Sequence, residues 1–334
     1  MSYRFLPFRR FRRPTISDEG SFFILKPSGS YKTNCATMLI KSDSPILFDV
    51  GSGKEVFHLL KSALTLMEKD KKDIKYAILS HFHPDHHTNI RSLKKFLPNA
   101  NIVCHKMAYN TILQPFKYNT GREKIFERRS IRYSMISWNF YNRIFISKKI
   151  KYYTVENDPI FKFGNLKLKF LHTPGHNAGH LCLHDLSNKI LFLGDLVPFT
   201  PWIDVYSEAV DDMIYSIKKI LDINPILIKY SVRSHGNLSD NAKEIYEWTE
   251  ERERFKRYLN LIYDSLEKLP KILKNRPLKI NEIASKILLN EYNSYNKFMN
   301  IFFFPPNVSW IYSYLLKLRE EGKVERKRNK WVSS

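Results

Sequence analysis

The sequence predicts a layered α/β domain followed by a helical C-terminal region. Short apolar strands alternate with helix-period stretches up to residue 236, several strand ends run into His, Asp and Gly, and the pattern turns helical beyond Ser239. Strands open the chain at 21–25, 36–40 and 46–49, separated by Gly, Ser and Asp turns. Residues 54–67 have helical period, with Val56, Leu59, Leu60, Leu64 and Met67 on one face. A buried strand at 74–79 leads into Ser80-His81, followed by a short helix at 88–96 and a strand at 101–104. Residues 105–157 hold eleven Lys and Arg against Glu123, Glu127 and Glu156, interleaved with Tyr109, Phe116, Tyr133, Trp138 and Tyr141. This segment reads as helices inserted between two core strands. Strands resume at 166–171, 180–184 and 190–193, a helix spans 208–221, and 225–230 is the last strand, leading to Ser234-His235-Gly236.

In the tail, 242–266 reads as one long charged helix, stopped by a Lys/Pro break at 270–277. Two shorter helices follow at 281–289 and 308–321, then a basic two-stranded hairpin over 322–332. That succession is a winged-helix order. The chain divides accordingly into 1–238, with 105–157 as its insert, and 239–334.

With 334 residues the chain can bury one large core and a smaller second one. Its 43% hydrophobic content is too high for disorder. No stretch nears the roughly 18 uninterrupted apolar residues of a membrane span. Residues 1–14 carry Arg4, Arg9, Arg10, Arg12 and Arg13 and lack the apolar segment of a secretion signal, so a cytoplasmic protein with no membrane partner is expected. Cys35, Cys104 and Cys182 are far apart with no CxxC spacing, as buried reduced thiols are. The net charge of +22 favours polyanionic partners through phosphate contacts, although a lysine-rich host composition produces the same number.

His81-Phe-His83-Pro-Asp85-His86 presents several imidazole and carboxylate heads from one turn after a strand, donors that suit Zn²⁺ and related transition metals. Downstream, Thr173-Pro-Gly-His176, Leu193-Gly-Asp195 and Ser234-His235-Gly236 each place a ligand-capable residue at a strand end beside a glycine. Strand ends on one sheet edge can converge. Taken in order, HxHxDH, PGH, GD and HG, the pattern resembles the metallo-β-lactamase superfamily over about residues 20–238. Asp49 in Phe48-Asp-Val-Gly51 matches that family's early Asp-x-Gly turn, where the Asp supports the site from behind the ligands.

The resemblance implies an αββα metallo-β-lactamase sandwich, here with a C-terminal helical, winged-helix-like domain. By motif it implies His81, His83 and His176 at a first metal, Asp85, His86 and His235 at a second, and Asp195 bridging both. Two Zn²⁺ are expected, with Mn²⁺ or Fe²⁺ as alternatives. Two ions about 3.5–4 Å apart can share a hydroxide and lower its proton affinity, and Asp85 is the catalytic carboxylate that would orient it. His172 and His180 flank the Pro-Gly-His turn and read as supports, His87 faces away from the ligands, and His58, His105 and His184 read as ordinary, partly buried residues. Asp195, with no Cys nearby, resembles the branch of glyoxalase II-like thioesterases, lactonases and phosphodiesterases.

Three functions follow. Favoured by a small margin is an endoribonuclease or other phosphodiesterase acting on single-stranded RNA. The domain order, Tyr246, Glu251-Arg-Glu-Arg254 and the 315–324 segment before Trp331 resemble the β-lactamase-like endoribonuclease branch. The aromatics and cations of 105–157 suit bases and phosphates, and equally suit plain helix packing. The second function is hydrolysis of a small-molecule ester, thioester or lactone, with the tail helices capping the pocket or forming a homodimer face. No glutathione-binding basic motif is evident in the tail, and Leu196-Val-Pro-Phe199 lacks the tyrosine that lactonases often have there. The third is a non-enzymatic nucleic-acid binder, which an intact ligand set disfavours.

Overall fold

The structure, a computed structural model, describes residues 14–28, 35–113, 150–199, 206, 208–236, 243–287 and 306–334. Two β-sheets form its centre. The first joins β1 (Thr15–Asp18), β2 (Phe22–Lys26), β3 (Thr37–Ile40), β4 (Ile46–Phe48), β5 (Tyr76–Ile78), β6 (Asn101–His105) and β7 (Tyr152–Val155) in that spatial order. Strands β1 to β4 pair antiparallel and β4 to β7 parallel. The second joins β8 (Ile160–Phe163), β9 (Leu166–His172), β10 (Leu181–Asp185), β11 (Ile190–Gly194), β12 (Tyr230–Arg233) and β13 (Ile245–Glu247), antiparallel except where β11 meets β12.

The alternation of strand side chains builds three apolar layers. Phe22 and Ile24 point between the sheets with Phe48, Ile78, Phe170 and Val232, while Phe23 and Leu25 point outward. The Phe192 ring meets Phe22 at 5.3 Å and Phe48 at 5.9 Å, closing the inner layer. On the first sheet's outer face lie α1 (Glu55–Leu66), α3 (Ile90–Phe96) and α4 (Lys106–Leu113), and the single turn α2 (Pro84–His87) follows the end of β5; α1 and α3 bury Leu60, Leu64 and Leu93 against Leu39, Leu47 and Ala77. Beyond the second sheet, α5 (Ala209–Leu221) and α6 (Trp248–Lys274) cover Leu171, Cys182, Leu191 and Leu193. Helix, sheet, sheet, helix is the layering expected. The tail adds α7 (Ile280–Ile287), α8 (Pro306–Glu320), β14 (Val324–Lys327) and β15 (Lys330–Ser333), with Leu278 bridged to Trp331. Its Trp310, Leu315 and Trp331 share one apolar cluster with α6 and the second sheet. Among the described residues no helix is long and apolar enough to cross a membrane.

Several local expectations are corrected. Residues 152–155 are not insert helix but β7, paired in parallel with β6; 114–149 lie outside the described residues. The strand expected at 225–230 is displaced to Tyr230–Arg233, because Pro225 starts a 3-10 turn in which Asn224 Oδ1 accepts from Ile226 N, and it is not the last of its sheet, since β13 follows. The long helix starts at Trp248, after β13, and runs through Pro270. Burial of Ile262, Leu269 and Leu273 along one stripe outweighs the lost hydrogen bond.

A buried ion pair joins β12 to α6. Arg233, on the strand that leads to His235, donates Nε to Glu251 Oε1 at 2.8 Å and Nη2 to Oε2 at 2.5 Å, both side chains being fully buried. The guanidinium also stacks on Tyr246, 3.9 Å from its ring centre. Glu251→Ala would leave that cation buried without its partner, an expected loss of about 3–5 kcal/mol. Urea unfolding measures it: a change within about 0.5 kcal/mol would remove the pair from any structural role, whereas Arg233→Met with Glu251→Met should recover most of the loss.

Candidate metal centre

The ends of β4, β5, β9, β11 and β12 gather on one edge of the sandwich and deliver Asp49, Ser80-His81, His176, Asp195 and Ser234-His235 respectively. Cross-sheet backbone bonds stitch that edge: Leu181 N donates to Ser80 O at 2.7 Å, and Ala36 N to Ser234 O at 2.9 Å. Two glycines allow the closeness. A Cβ at Gly194 (φ +56°) would lie 2.8 Å from His180 Nε2, and one at Gly175 (φ +122°) 2.6 Å from the main chain of Met213 on α5.

All seven residues singled out by motif meet there, in two adjoining groups. His81, His83, His176 and Asp195 form one; Asp85, His86 and His235 form the other; within each group the donor atoms lie within 4.8 Å of one another. Asp195 faces both. Its Oδ2 is 3.5 Å from His176 Nε2 and 4.0 Å from His81 Nε2, while Oδ1 is 3.4 Å from His86 Nε2 and 3.7 Å from His235 Nε2. His235 Nε2 also lies 2.9 Å from Asp85 Oδ2, and His176 Nε2 lies 2.9 Å from His83 Nδ1. His81, His86, His176 and Asp195 are buried, while His83, Asp85 and His235 are half-buried and open the cluster to one side.

Lone pairs gathered this tightly repel unless protons or a cation lie among them. His81 Nε2 and Asp195 Oδ1 are buried with no hydrogen-bond partner among the described residues. Burial and the neighbouring imidazoles of His86 and His83 hold His81 well below its ordinary range, so its Nε2 is an available donor at neutral pH. Burial would raise the Asp85 carboxyl, but His86 and His235 outweigh it and hold it at about 2. The carboxylates of Asp195 and Asp85 in turn raise His86 and His235 despite their burial, so the centre calls for positive charge among its carboxylates, a demand that a divalent metal on these nitrogen and oxygen donors fits.

A buried layer behind the donors fixes their protons. Asp49 Oδ2 accepts from His86 Nδ1 at 2.8 Å, from Ser80 Oγ at 2.9 Å and from Ser234 Oγ at 3.0 Å, and Oδ1 accepts from Ser80 N at 2.8 Å. His81 Nδ1 reaches the same carboxylate through Ser80 Oγ at 3.0 Å, so both rings present Nε2 to the centre. Asp195 N donates to His180 Nε2 at 3.1 Å, and His180 Nδ1 donates to Thr173 Oγ1 at 2.9 Å. His87 is buried behind the turn, its Nδ1 donating to His83 O at 2.8 Å. Sequence reasoning misses Ser80 and Ser234. Each is a small polar residue directly before a ligand at a strand end, which is the signal that could find them. His105 and His172 stack at 3.7 Å, and His58 is exposed instead of partly buried. Burial pushes the thiols of Cys35, Cys104 and Cys182 up to about 12, which leaves them inert.

Residues 31–258 match the family profile described as Metallo-beta-lactamase superfamily. The chain belongs to the metallo-beta-lactamase superfamily. Within that superfamily the fold resembles a beta-lactamase domain protein from Burkholderia ambifaria, with a TM-score of 0.74, 13% identity, and coverage of 98% of this chain and 97% of that one. It also resembles a metallo-beta-lactamase family protein from Thermus thermophilus, with a TM-score of 0.67, 15% identity, and coverage of 94% and 99%. By sequence the chain is 35% identical to the acyl-coenzyme A thioesterase MBLAC2 of Gallus gallus over 95 residues, 28% of this chain and 34% of that protein. It is 33% identical to a hydroxyacylglutathione hydrolase of Rhizobium etli over 67 residues, 20% of this chain and 26% of that protein. The matched stretch thus spans about a third of the first relative's length and a quarter of the second's.

Gly175→Ala should push α5 away from the His176 turn, lowering stability by roughly 1–3 kcal/mol and reducing bound metal, measured by thermal melting and elemental analysis. Unchanged metal content would separate Gly175 from the centre. Burial, with His172 stacked against it, pushes His105 down to about 3. Below about 6.5 the unfolded chain therefore binds a proton that the folded protein refuses, and stability should fall as pH drops from there towards 3. Denaturant midpoints between neutral and acid pH should show a shallower fall in His105→Asn; an identical slope would acquit His105.

Proposed function

We propose that this protein is a metal-dependent hydrolase of small-molecule thioesters. It would hold two divalent ions, Zn²⁺ before Mn²⁺ or Fe²⁺, one on His81, His83 and His176 and one on Asp85, His86 and His235. Asp195 would be shared. The observation that supports this best is that the two carboxylate oxygens of Asp195 face the two donor groups separately. When bound, the ions supply Lewis acidity, which lowers the pKa of water and polarises an acyl oxygen. Asp85 stays ionised at neutral pH and half-open to solvent, so its free oxygen can accept a proton from water and orient it. His235, hydrogen-bonded to Asp85, holds that carboxylate in place.

The thioester class rests on the two relatives, one an acyl-coenzyme A thioesterase and the other a hydroxyacylglutathione hydrolase. The phosphodiester preference drawn from the sequence finds no matching support among them. A second reading, cleavage of single-stranded RNA, keeps two features: the charge of +22 and a tail in winged-helix order, where α7, α8 and the β14–β15 hairpin are joined to Leu278 through Trp331. Two residues that point to it in the sequence are buried in the structure: Tyr246 lies under Arg233, and Glu251 is its ion partner.

The deciding experiment incubates zinc-loaded protein with acyl-coenzyme A thioesters, a hydroxyacylglutathione and an end-labelled single-stranded RNA, with Asp195→Ala alongside. Thiol release that falls on the order of a hundredfold or more in Asp195→Ala, together with lost metal, is expected. RNA cleavage that vanishes in the variant would transfer the assignment to a phosphodiesterase. Turnover of neither class by fully loaded protein would defeat both.

A further inference from the structure

Asn89 stands at the N-terminal cap of α3 yet makes no side-chain capping bond to its own helix. Asparagine at this position ordinarily accepts from the first-turn N–H groups. Here the buried amide is turned the other way, and Nδ2 donates to Val50 O at 3.1 Å and to Gly53 O at 2.8 Å. A local helix cap has been exchanged for two long-range bonds to another turn. That turn begins at Asp49, a non-glycine residue at φ +59°, in a left-handed conformation that L side chains avoid and that surrounding contacts must hold. The same turn is tied to the ligand loop by Val50 N, which donates to His86 O at 3.1 Å.

Held in this way, the Asp49 carboxylate collects His86 Nδ1, Ser80 and Ser234. Two of these contacts act on the Asp85, His86 and His235 group: one on the His86 ring directly, one through the residue before His235. Among the described residues the other group is reached through Ser80 Oγ, 3.0 Å from His81 Nδ1 and 3.4 Å from His86 Nδ1. We propose that Asn89 is a positioning residue for the metal centre: its amide clamps the Asp49 turn so that His86 keeps its proton on Nδ1 and offers Nε2 to the second ion. This rests on the two-ion reading above.

Asn89→Asp keeps the shape and volume while removing both donors; Asn89→Ser is shorter and retains one donor. Co²⁺ titration followed by visible absorption, with equilibrium dialysis as a check, reads the two binding events without relying on turnover. In Asn89→Asp the second equivalent should bind at least about tenfold more weakly while the first changes much less, and Asn89→Ser should lie between it and the native protein. Far-UV circular dichroism and melting of the metal-free protein report folding; should Asn89→Asp not fold, Asn89→Ser alone decides. A lowered melting temperature with both affinities unchanged would overturn the proposal, leaving Asn89 as packing. Uptake of a single equivalent by the native protein would instead defeat the two-ion reading. The clamp would then stand or fall on whether that equivalent weakens in the variants.

Discussion

Packing imidazole nitrogens and carboxylate oxygens against one another inside a protein is unfavourable, and the rest of this structure is organised around tolerating it. Four of the seven donors are buried, and Asp195 comes within hydrogen-bonding or van der Waals range of rings from three other segments. Such an arrangement persists only on a rigid frame that also fixes where each proton sits. The three apolar layers are the frame, and strand ends are its most rigid points of delivery. The Asp49 carboxylate, with Ser80 and Ser234, is the device that fixes protons, and it turns both His81 and His86 with Nε2 towards the centre.

The same constraint explains why the tail is continuous with the catalytic fold. His235 is the last donor in the chain, and its strand would be an edge if β13 and α6 did not follow. β13 pairs with β12, and Glu251 from α6 neutralises Arg233, two residues before His235. Beyond α6, Lys317 on α8 pairs with Asp211 on α5 at 2.7 Å, which ties the last helix back to the one resting on Gly175. The tail thus braces the PGH and HG ends of the site from outside the second sheet.

What is legible in the sequence follows from range. His176, Asp195 and His235 each stand beside a glycine at a strand end, and His81, His83, Asp85 and His86 lie in one turn; these are local patterns, so the seven residues that meet at the centre can be picked out, as can the αββα order. Local signals fail where a distant partner decides the outcome. Residues 152–155 look like part of a basic helical insert until β6 is beside them. Pro270 reads as a helix stop, yet a stripe of buried side chains on both sides of it carries α6 through. Asn89 falls inside the helix read over 88–96, and nothing nearby in sequence announces that its amide belongs to the turn at Val50. Glu251 and Tyr246 read as functional residues because charge and aromatic hydroxyls are usually exposed; their burial shows only with Arg233 against them.

The positive charge bears on the proposed substrate, and the tail carries only part of it. The tail from Ser239 onward holds 19 Lys and Arg against 13 Asp and Glu, a small part of the excess of 22. Many of those cations are already engaged. Along α6, Lys256 pairs with Glu253, Lys268 with Asp264 and Lys271 with Glu267; at the hairpin, Lys323 pairs with Glu321 and Lys327 with Glu325. The three pairs on α6, three or four residues apart, are the signature of a solvated helix face, where each contributes little. A small anion requires only a few cations near one pocket, whereas a nucleic acid requires a track of them.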